Sequence, residues 1–162
     1  VASRRKQILA ALKSAIDNIS TANGYNYDIG LNSLKYHDLT QIPPDKFPAI
    51  TYLPGPSSYF PLTNEDYTSG GSYAGIDGWQ IGVIGYLQVD SDISQGANVI
   101  NAMENLIEDI VKAVMADEQL GLSFVENCYL SAIVPSLDFL DQNIAIVQVI
   151  FSVKYDFPKG TP

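Results

Sequence analysis

The sequence carries one cysteine, one histidine and only nine lysines and arginines in 162 residues. A single thiol excludes an internal disulfide framework and any multi-thiolate metal site. A single histidine is too little for a histidine-based zinc centre or a histidine relay. Nine cations against eighteen acids give a formal charge of -9 and a pI near 4.3. Binding along a phosphate backbone draws on clustered cations, so wrapping of nucleic acid is not expected. No run of about 18 apolar residues occurs, which predicts no membrane-spanning helix. The apolar stretch after Arg4-Arg5-Lys6 is broken by Lys13 and Asp17 and lacks a cleavage site, so it does not read as a targeting segment. These absences predict a soluble, acidic, intracellular domain.

What is present is core-forming. Hydrophobic residues make up 46% of the chain, and a single domain of this length buries about 70% of the surface its unfolded chain exposes. The charge is uneven. Residues 1–50 hold six cations and four acids, a net of +2, whereas residues 51–162 hold three cations and fourteen acids, a net of -11. Such a split gives different faces of a fold different potentials, which matters for association more than for folding.

Ile8, Leu12, Ala15, Ile16 and Ile19 recur at three- and four-residue steps and predict an amphipathic helix over about Ser3–Ser20, with Ser3 as N-cap and Asn23-Gly24 after its end. Three cations in its first turn oppose the helix dipole, a hint that they face something acidic. Tyr25, Tyr27, Ile29 and Leu31 alternate with polar residues and glycine, a half-buried strand pattern. Phe47–Leu53 reads as a second strand closed by Pro54-Gly55-Pro56. Gly78–Val89 reads as a central one, apolar on both faces, with Gly82 and Gly85 marking a bulge or close packing. The strongest helical pattern runs from Ser94 to about Ala116, burying Val99, Met103, Leu106, Ile107, Ile110 and Val114. Two strands follow, about Phe124–Val134 and Asn143–Tyr155, the last too apolar for an exposed edge. The predicted fold is α+β: a single domain with a mostly antiparallel sheet and two amphipathic helices packed on it.

Residues 54–78 predict a long arm, with a short strand at about Tyr59–Leu62 and the remainder extended; a loop folded back over its own sheet and simple disorder are the alternatives. They hold Tyr59, Phe60, Tyr67 and Tyr73 and no lysine or arginine. Connections of this length are usually functional or disordered, and aromatic side chains suit a partner surface better than a solvated loop.

No catalytic constellation emerges. His37-Asp38 is the one histidine–carboxylate neighbour pair, without an activated nucleophile, and reads as surface or capping. Cys128 lies in a strand pattern and reads as a small buried thiol. Asp90-Ser91-Asp92 lacks the remaining oxygen ligands of a calcium loop. Ser69-Gly70-Gly71-Ser72 lacks the lysine and spacing of a phosphate cradle. Glu108-Asp109 are adjacent on a helix, about 100° apart, and read as a solvated helix face.

The order of motifs resembles the tail terminator (tail completion) proteins of tailed bacteriophages. The residues that carry the resemblance are the opening helix with Ile8, Leu12 and Ile16; Gly24-Tyr25-Asn26-Tyr27-Asp28-Ile29-Gly30; Phe47-Pro48-Ala49-Ile50; Trp79-Gln80-Ile81-Gly82; Glu108-Asp109-Ile110; Asp117-Glu118-Gln119-Leu120-Gly121; and the hairpin ending at Tyr155. Pro54-Gly55-Pro56 stands where that family pattern would have an acidic residue, and the aromatic arm is longer than its usual one. The resemblance implies a non-enzymatic structural virion protein without metal or cofactor. It implies a hexameric ring at the tail–neck junction, assembled in the host cytoplasm, that caps the tail tube and stops its polymerisation. The implied partners are the tail tube protein, a neck, stopper or connector protein and, in contractile tails, the sheath. DNA would pass through the lumen without specific binding. On this reading Arg4, Arg5 and Lys6, with Tyr59, Phe60, Tyr67 and Tyr73, are the candidate interface residues. The alternatives are a head–tail connector or stopper one ring higher, and a small α+β ligand-binding or hydrolase domain using His37 or Asp90 and Asp92.

Overall fold

The structure, a computed structural model, describes residues 2–35, 38–60, 73–89 and 96–158, with backbone alone at 58–60, 73–77, 96–97 and 158. Helix α1 (Arg4–Asp17) opens on Ser3, whose hydroxyl accepts the Lys6 N–H. A two-residue β1 (Leu31–Asn32) precedes β2 (Ala49–Phe60) and β3 (Tyr73–Gln88). Helix α2 (Gly96–Met115), β4 (Val125–Ser136) and β5 (Ile144–Pro158) complete the chain. The strands form one mixed sheet in the order β1-β2-β3-β5-β4, antiparallel except for the short β1–β2 pairing. This is the α+β sheet with two packed helices that the periodicities predict.

The central strand explains the layering. Trp79, Ile81, Val83 and Leu87 of β3 are buried on the side that also buries Ile8, Leu12 and Ile16 of α1 and Leu106 and Ile110 of α2. On the opposite side Ile84 and Tyr86 form a smaller cluster with Ile42 and Ala49, backed by Leu39 and Phe47. Both faces of β3 are therefore covered at its centre, as its two apolar rows require. The strand glycines sit under neighbours: a Cβ at Gly85 would lie 2.8 Å from Leu106 Cδ2 and 3.0 Å from Val147 Cγ2. Close packing, not a bulge, is what Gly85 provides. β5 lies between β3 and β4, consistent with its apolar sequence.

Four boundaries differ from the sequence reading. Residues 25–30 form no strand, although their burial alternates as predicted: Tyr25, Tyr27 and Ile29 are half-buried while Asn26, Asp28 and Gly30 are exposed. Pro54-Gly55-Pro56 does not close β2, which runs on to Phe60 with a register shift between Pro54 and Ser57. Proline is tolerated there because β1 covers only Ala49 and Ile50, leaving the rest of β2 as a sheet edge. The ends of the expected arm are consequently strand, at Tyr59 and Phe60 as the short strand expected there: Tyr59 pairs with Ile76 and Phe60 with Gly75. Finally, α1 ends at Asp17, and Gly24, at φ 83°, terminates a separate 3-10 turn over Thr21–Asn23. The proposed Ser94 cap lies outside the described residues.

Candidate partner-binding surface

The predicted N-terminal cations gather at one end of the sheet. Arg4 pairs with Asp156 of β5, donates to the Asp156 carbonyl at 2.8 Å and stands 4.6 Å over the Phe124 ring. Arg5 stacks 3.8 Å over the Trp79 ring and donates to Ser57 Oγ at 2.7 Å. The acidic group that the mismatched helix dipole anticipated is thus found within the chain for Arg4, and Arg5 is engaged by an aromatic face. Lys6 is exposed. Ser57 lies in the same strand as Tyr59 and Phe60, and Tyr73 pairs with Pro158, two residues beyond Asp156. The backbone therefore brings Arg4, Arg5, Tyr59, Phe60 and Tyr73 to one end of the sheet. Tyr67 lies outside the described residues.

The groups considered for chemistry separate differently. His37, Asp90, Ser91, Asp92 and the Ser69–Ser72 run lie outside the described residues. Asp38 caps a 3-10 turn, accepting the Thr40 N–H at 2.7 Å while Gln41 accepts the Asp38 N–H. That backbone hydrogen bond, with the Thr40 hydroxyl second, lowers the Asp38 pKa. Among the described residues no group of three or more His, Cys, Asp or Glu side chains converges as a metal site.

Cys128 is fully buried, and burial pushes its thiol from 9.0 up to about 12. The folded protein therefore holds a proton that the unfolded chain releases. Its contribution to stability is complete below about pH 9 and falls as pH rises towards 12, by up to about 1.4 kcal/mol per pH unit. Tyr52 adds to the loss above pH 10, its phenol being raised first by burial and then by the Asp17 charge, while its hydrogen bond to Asn32 Oδ1 acts in the lowering direction. Urea unfolding at about pH 8 and about pH 10.5 should show the decline, and Cys128→Ala should flatten its lower part. A stability unchanged over that interval would contradict a thiol buried in the fold.

Asp109 is the site residue that the sequence reading placed wrongly. It is 1% exposed, not on a solvated face. Its Oδ1 accepts the Asn26 N–H at 2.9 Å and Asn26 Nδ2 at 3.0 Å, and its Oδ2 accepts the Tyr27 N–H at 3.0 Å. The same helix face supplies the Ala102 carbonyl to Tyr27 Oη at 3.1 Å and the Asn105 carbonyl to Asn26 Nδ2 at 3.3 Å. One turn on, Lys112 Nζ donates to the Gly24 carbonyl at 3.0 Å and lies 4.6 Å over the Tyr25 ring. Ala102, Asn105, Asp109 and Lys112 are spaced by three, four and three residues and so share one stripe of α2. Burial, with the Asp109 charge second, raises the Tyr27 phenol. The spacing in the sequence carried a signal: Asp109 falls between Leu106, Ile107 and Ile110, within the apolar sector.

A second feature not singled out by sequence is the outer edge. Tyr129, Leu130, Ile133 and Val134 of β4 are all exposed, as is Ile100 of α2. A groove of about 350 Å³ lies between α2 and the end of β4, lined by Ile100, Met103, Glu104, Pro135 and Leu137. The strand was legible, but a strand's place at an edge depends on its neighbours and not on its own pattern.

A scan against protein-family models finds no match, and a search of the curated proteins finds none. No helix among the described residues is long and apolar enough to cross a membrane.

Proposed function

We propose that the chain is a structural virion protein of the tail–neck junction. It forms a ring, hexameric in the proteins it resembles, on the head-proximal end of a phage tail tube. There it stops tube polymerisation and offers a docking face to a neck or stopper protein, and to the sheath where the tail is contractile. The observation that supports this reading best is the joining of two motifs of the resemblance. Gly24–Gly30 and Glu108-Asp109-Ile110, about eighty residues apart, form one packed unit through Asp109, Asn26 and Tyr27. The clustering of Arg4, Arg5 and the ends of β2 and β3 at one end of the sheet is in keeping with a docking face there. In a hexamer the total charge is about -54; with part of the acidic residues facing the lumen, its walls repel phosphate over a screening length of about 8–10 Å and DNA slides without specific contacts.

Electron microscopy of the purified protein mixed with headless tail tubes tests the reading. The expected result is one ring at one end of each tube, with tubes of uniform length. Random decoration or no binding would refute it. Binding to DNA-filled heads in place of tails would assign the chain to the stopper position.

A further inference from the structure

β4 is the outer strand of the sheet, so one row of its backbone N–H and C=O groups faces away from β5. Near its start that row is closed, because the Cys128 N–H donates to the Glu118 carbonyl at 2.7 Å. Near its end Pro135 brings no N–H. Between them, from Tyr129 to Val134, no backbone group outside the ladder with β5 is bonded to the strand among the described residues. Proteins ordinarily blunt such an edge with lysine, a bulge or a short strand. This stretch has no charged residue, and its one register shift, at Leu130/Ala132, leaves apolar side chains on both faces. Leu130 and Ile133, opposite Phe151 and Val149, lie on the helix side and are 38% and 41% exposed. Tyr129 and Val134, opposite Ser152 and Gln148, lie on the other side and are 43% and 47% exposed. The helix-side row leads into the groove of about 350 Å³ between α2 and Pro135. Unpaired backbone flanked by apolar side chains suits an added strand, which gains main-chain hydrogen bonds and cross-strand contacts together.

Charge narrows the occupant. The ionised side chains bordering this stretch are Glu118 and Glu126 at its Cys128 end and Glu104 and Asp138 at its groove end, all exposed. Lys154 pairs with Glu126 at 3.3 Å, and Lys112 of α2 is held by the Gly24 carbonyl and the Tyr25 ring. Glu104, Glu118 and Asp138 make no ion pair among the described residues. A cation on the incoming strand therefore gains, and an acid is repelled. A second copy of this chain does not answer to that chemistry. Its other open edge, β2 beyond Ile50, has no lysine or arginine through Phe60, and a second β4 brings the same three acids. Its exposed Lys6, Lys35 and Lys46 lie outside its strands. We infer that the β4 edge over Tyr129–Val134 takes up an extended segment of a different protein as a sixth strand, apolar at alternate positions and carrying lysine or arginine where it passes Glu104, Glu118 and Asp138. The groove beside Met103 and Pro135 receives a large apolar side chain of that segment. The inference goes beyond the tail–neck reading and does not rest on it.

The test uses the purified full chain and a fluorescent probe peptide, six residues of alternating valine and threonine with two lysines at each end. Anisotropy should show saturable binding, about tenfold or more tighter than for the same peptide with glutamates in place of its lysines, a gap that narrows as salt is raised. Methylating the backbone nitrogens of the six central residues should weaken binding about tenfold or more, because an added strand depends on main-chain bonds. Ile133→Lys should weaken it to a similar degree. Glu104→Gln, a mild change at an exposed position, should narrow the gap between the lysine and glutamate peptides. Hydrogen exchange over residues 129–134 should slow when the lysine peptide is bound. Absence of saturable binding, equal affinity for the two peptides, or binding unchanged by methylation overturns the inference. So does self-association through β4, broken by Ile133→Lys in sedimentation, that keeps the probe out. An end ring on tail tubes without probe binding leaves the tail–neck reading standing and refutes this one; probe binding without an end ring does the reverse.

Discussion

Trp79→Ala is expected to remove about 3–5 kcal/mol of folding stability, among the largest effects of any single truncation in the chain. The indole is 1% exposed and lies in the central strand β3, where it joins all parts of one end of the core. Its ring is 6.2 Å from Tyr155, itself 6.5 Å from Phe124 and 6.1 Å from Phe157. Arg5 covers it from α1 at 3.8 Å. Truncation therefore opens a cavity between α1, β3 and β5 and removes the aromatic face on which a cation rests. Trp79→Phe should cost much less, because the indole Nε1 is buried with no hydrogen-bond partner among the described residues and its loss relieves a penalty. A double-mutant cycle with Arg5→Ala should return a coupling of about 1 kcal/mol, the range of a partly desolvated cation–π contact. Urea unfolding followed by circular dichroism measures all five proteins, since Trp79 is the sole tryptophan and its fluorescence is lost with it. Equal costs for the alanine and phenylalanine variants would mean that the core does not depend on ring volume at this position.

How much of this end of the molecule was legible in the sequence follows from what each pattern reports. The stripe Ile8, Leu12, Ile16 and the two apolar rows of β3 report burial, and burial is what the structure bears out. The alternation Tyr25, Tyr27, Ile29 also reported burial correctly, yet it was read as a strand. Alternation cannot reveal where backbone hydrogen bonds go, and here they go to a side chain more than eighty residues away. Pro54 and Pro56 were read as a stop because proline cannot donate to a ladder. β1 contributes only two residues, so β2 beyond Ile50 is an edge on which that missing donor costs little. The arm assigned to residues 54–78 was drawn too long for the same reason. The partner residues fared unevenly. Arg4 and Arg5 were correctly placed on the first turn of a helix, but nothing local indicates that Asp156 and Trp79 fold back onto them. β4 was found as a strand; its exposure is a property of sheet order.

Asp109→Ala should cost about 2–4 kcal/mol, and Asp109→Asn nearly as much, although asparagine preserves the volume. Hydrogen bonds to a charged group are worth about 1.5–3 kcal/mol each, and they do not add fully within one cluster. The carboxylate receives only donors: the backbone N–H groups of Asn26 and Tyr27 and the Asn26 amide. An asparagine in its place keeps one acceptor oxygen and turns an N–H₂ towards one of those donors, so a favourable contact becomes a donor facing a donor. Alanine instead leaves two backbone N–H groups without their protein acceptor in a partly buried position. The neighbouring Glu108 is exposed, and Glu108→Ala should stay within about 0.5 kcal/mol of the parent. Hydrogen exchange gives the local readout: the Asn26 and Tyr27 amides should lose protection in both Asp109 variants, while amides of β3 and β5 follow only the global change. The contrast decides between two roles for an acid on α2. A solvated residue would make Asp109→Asn and Glu108→Ala equivalent. A carboxylate that holds residues 24–27 against the helix makes them differ by about 2 kcal/mol, with the difference appearing first in those two amides.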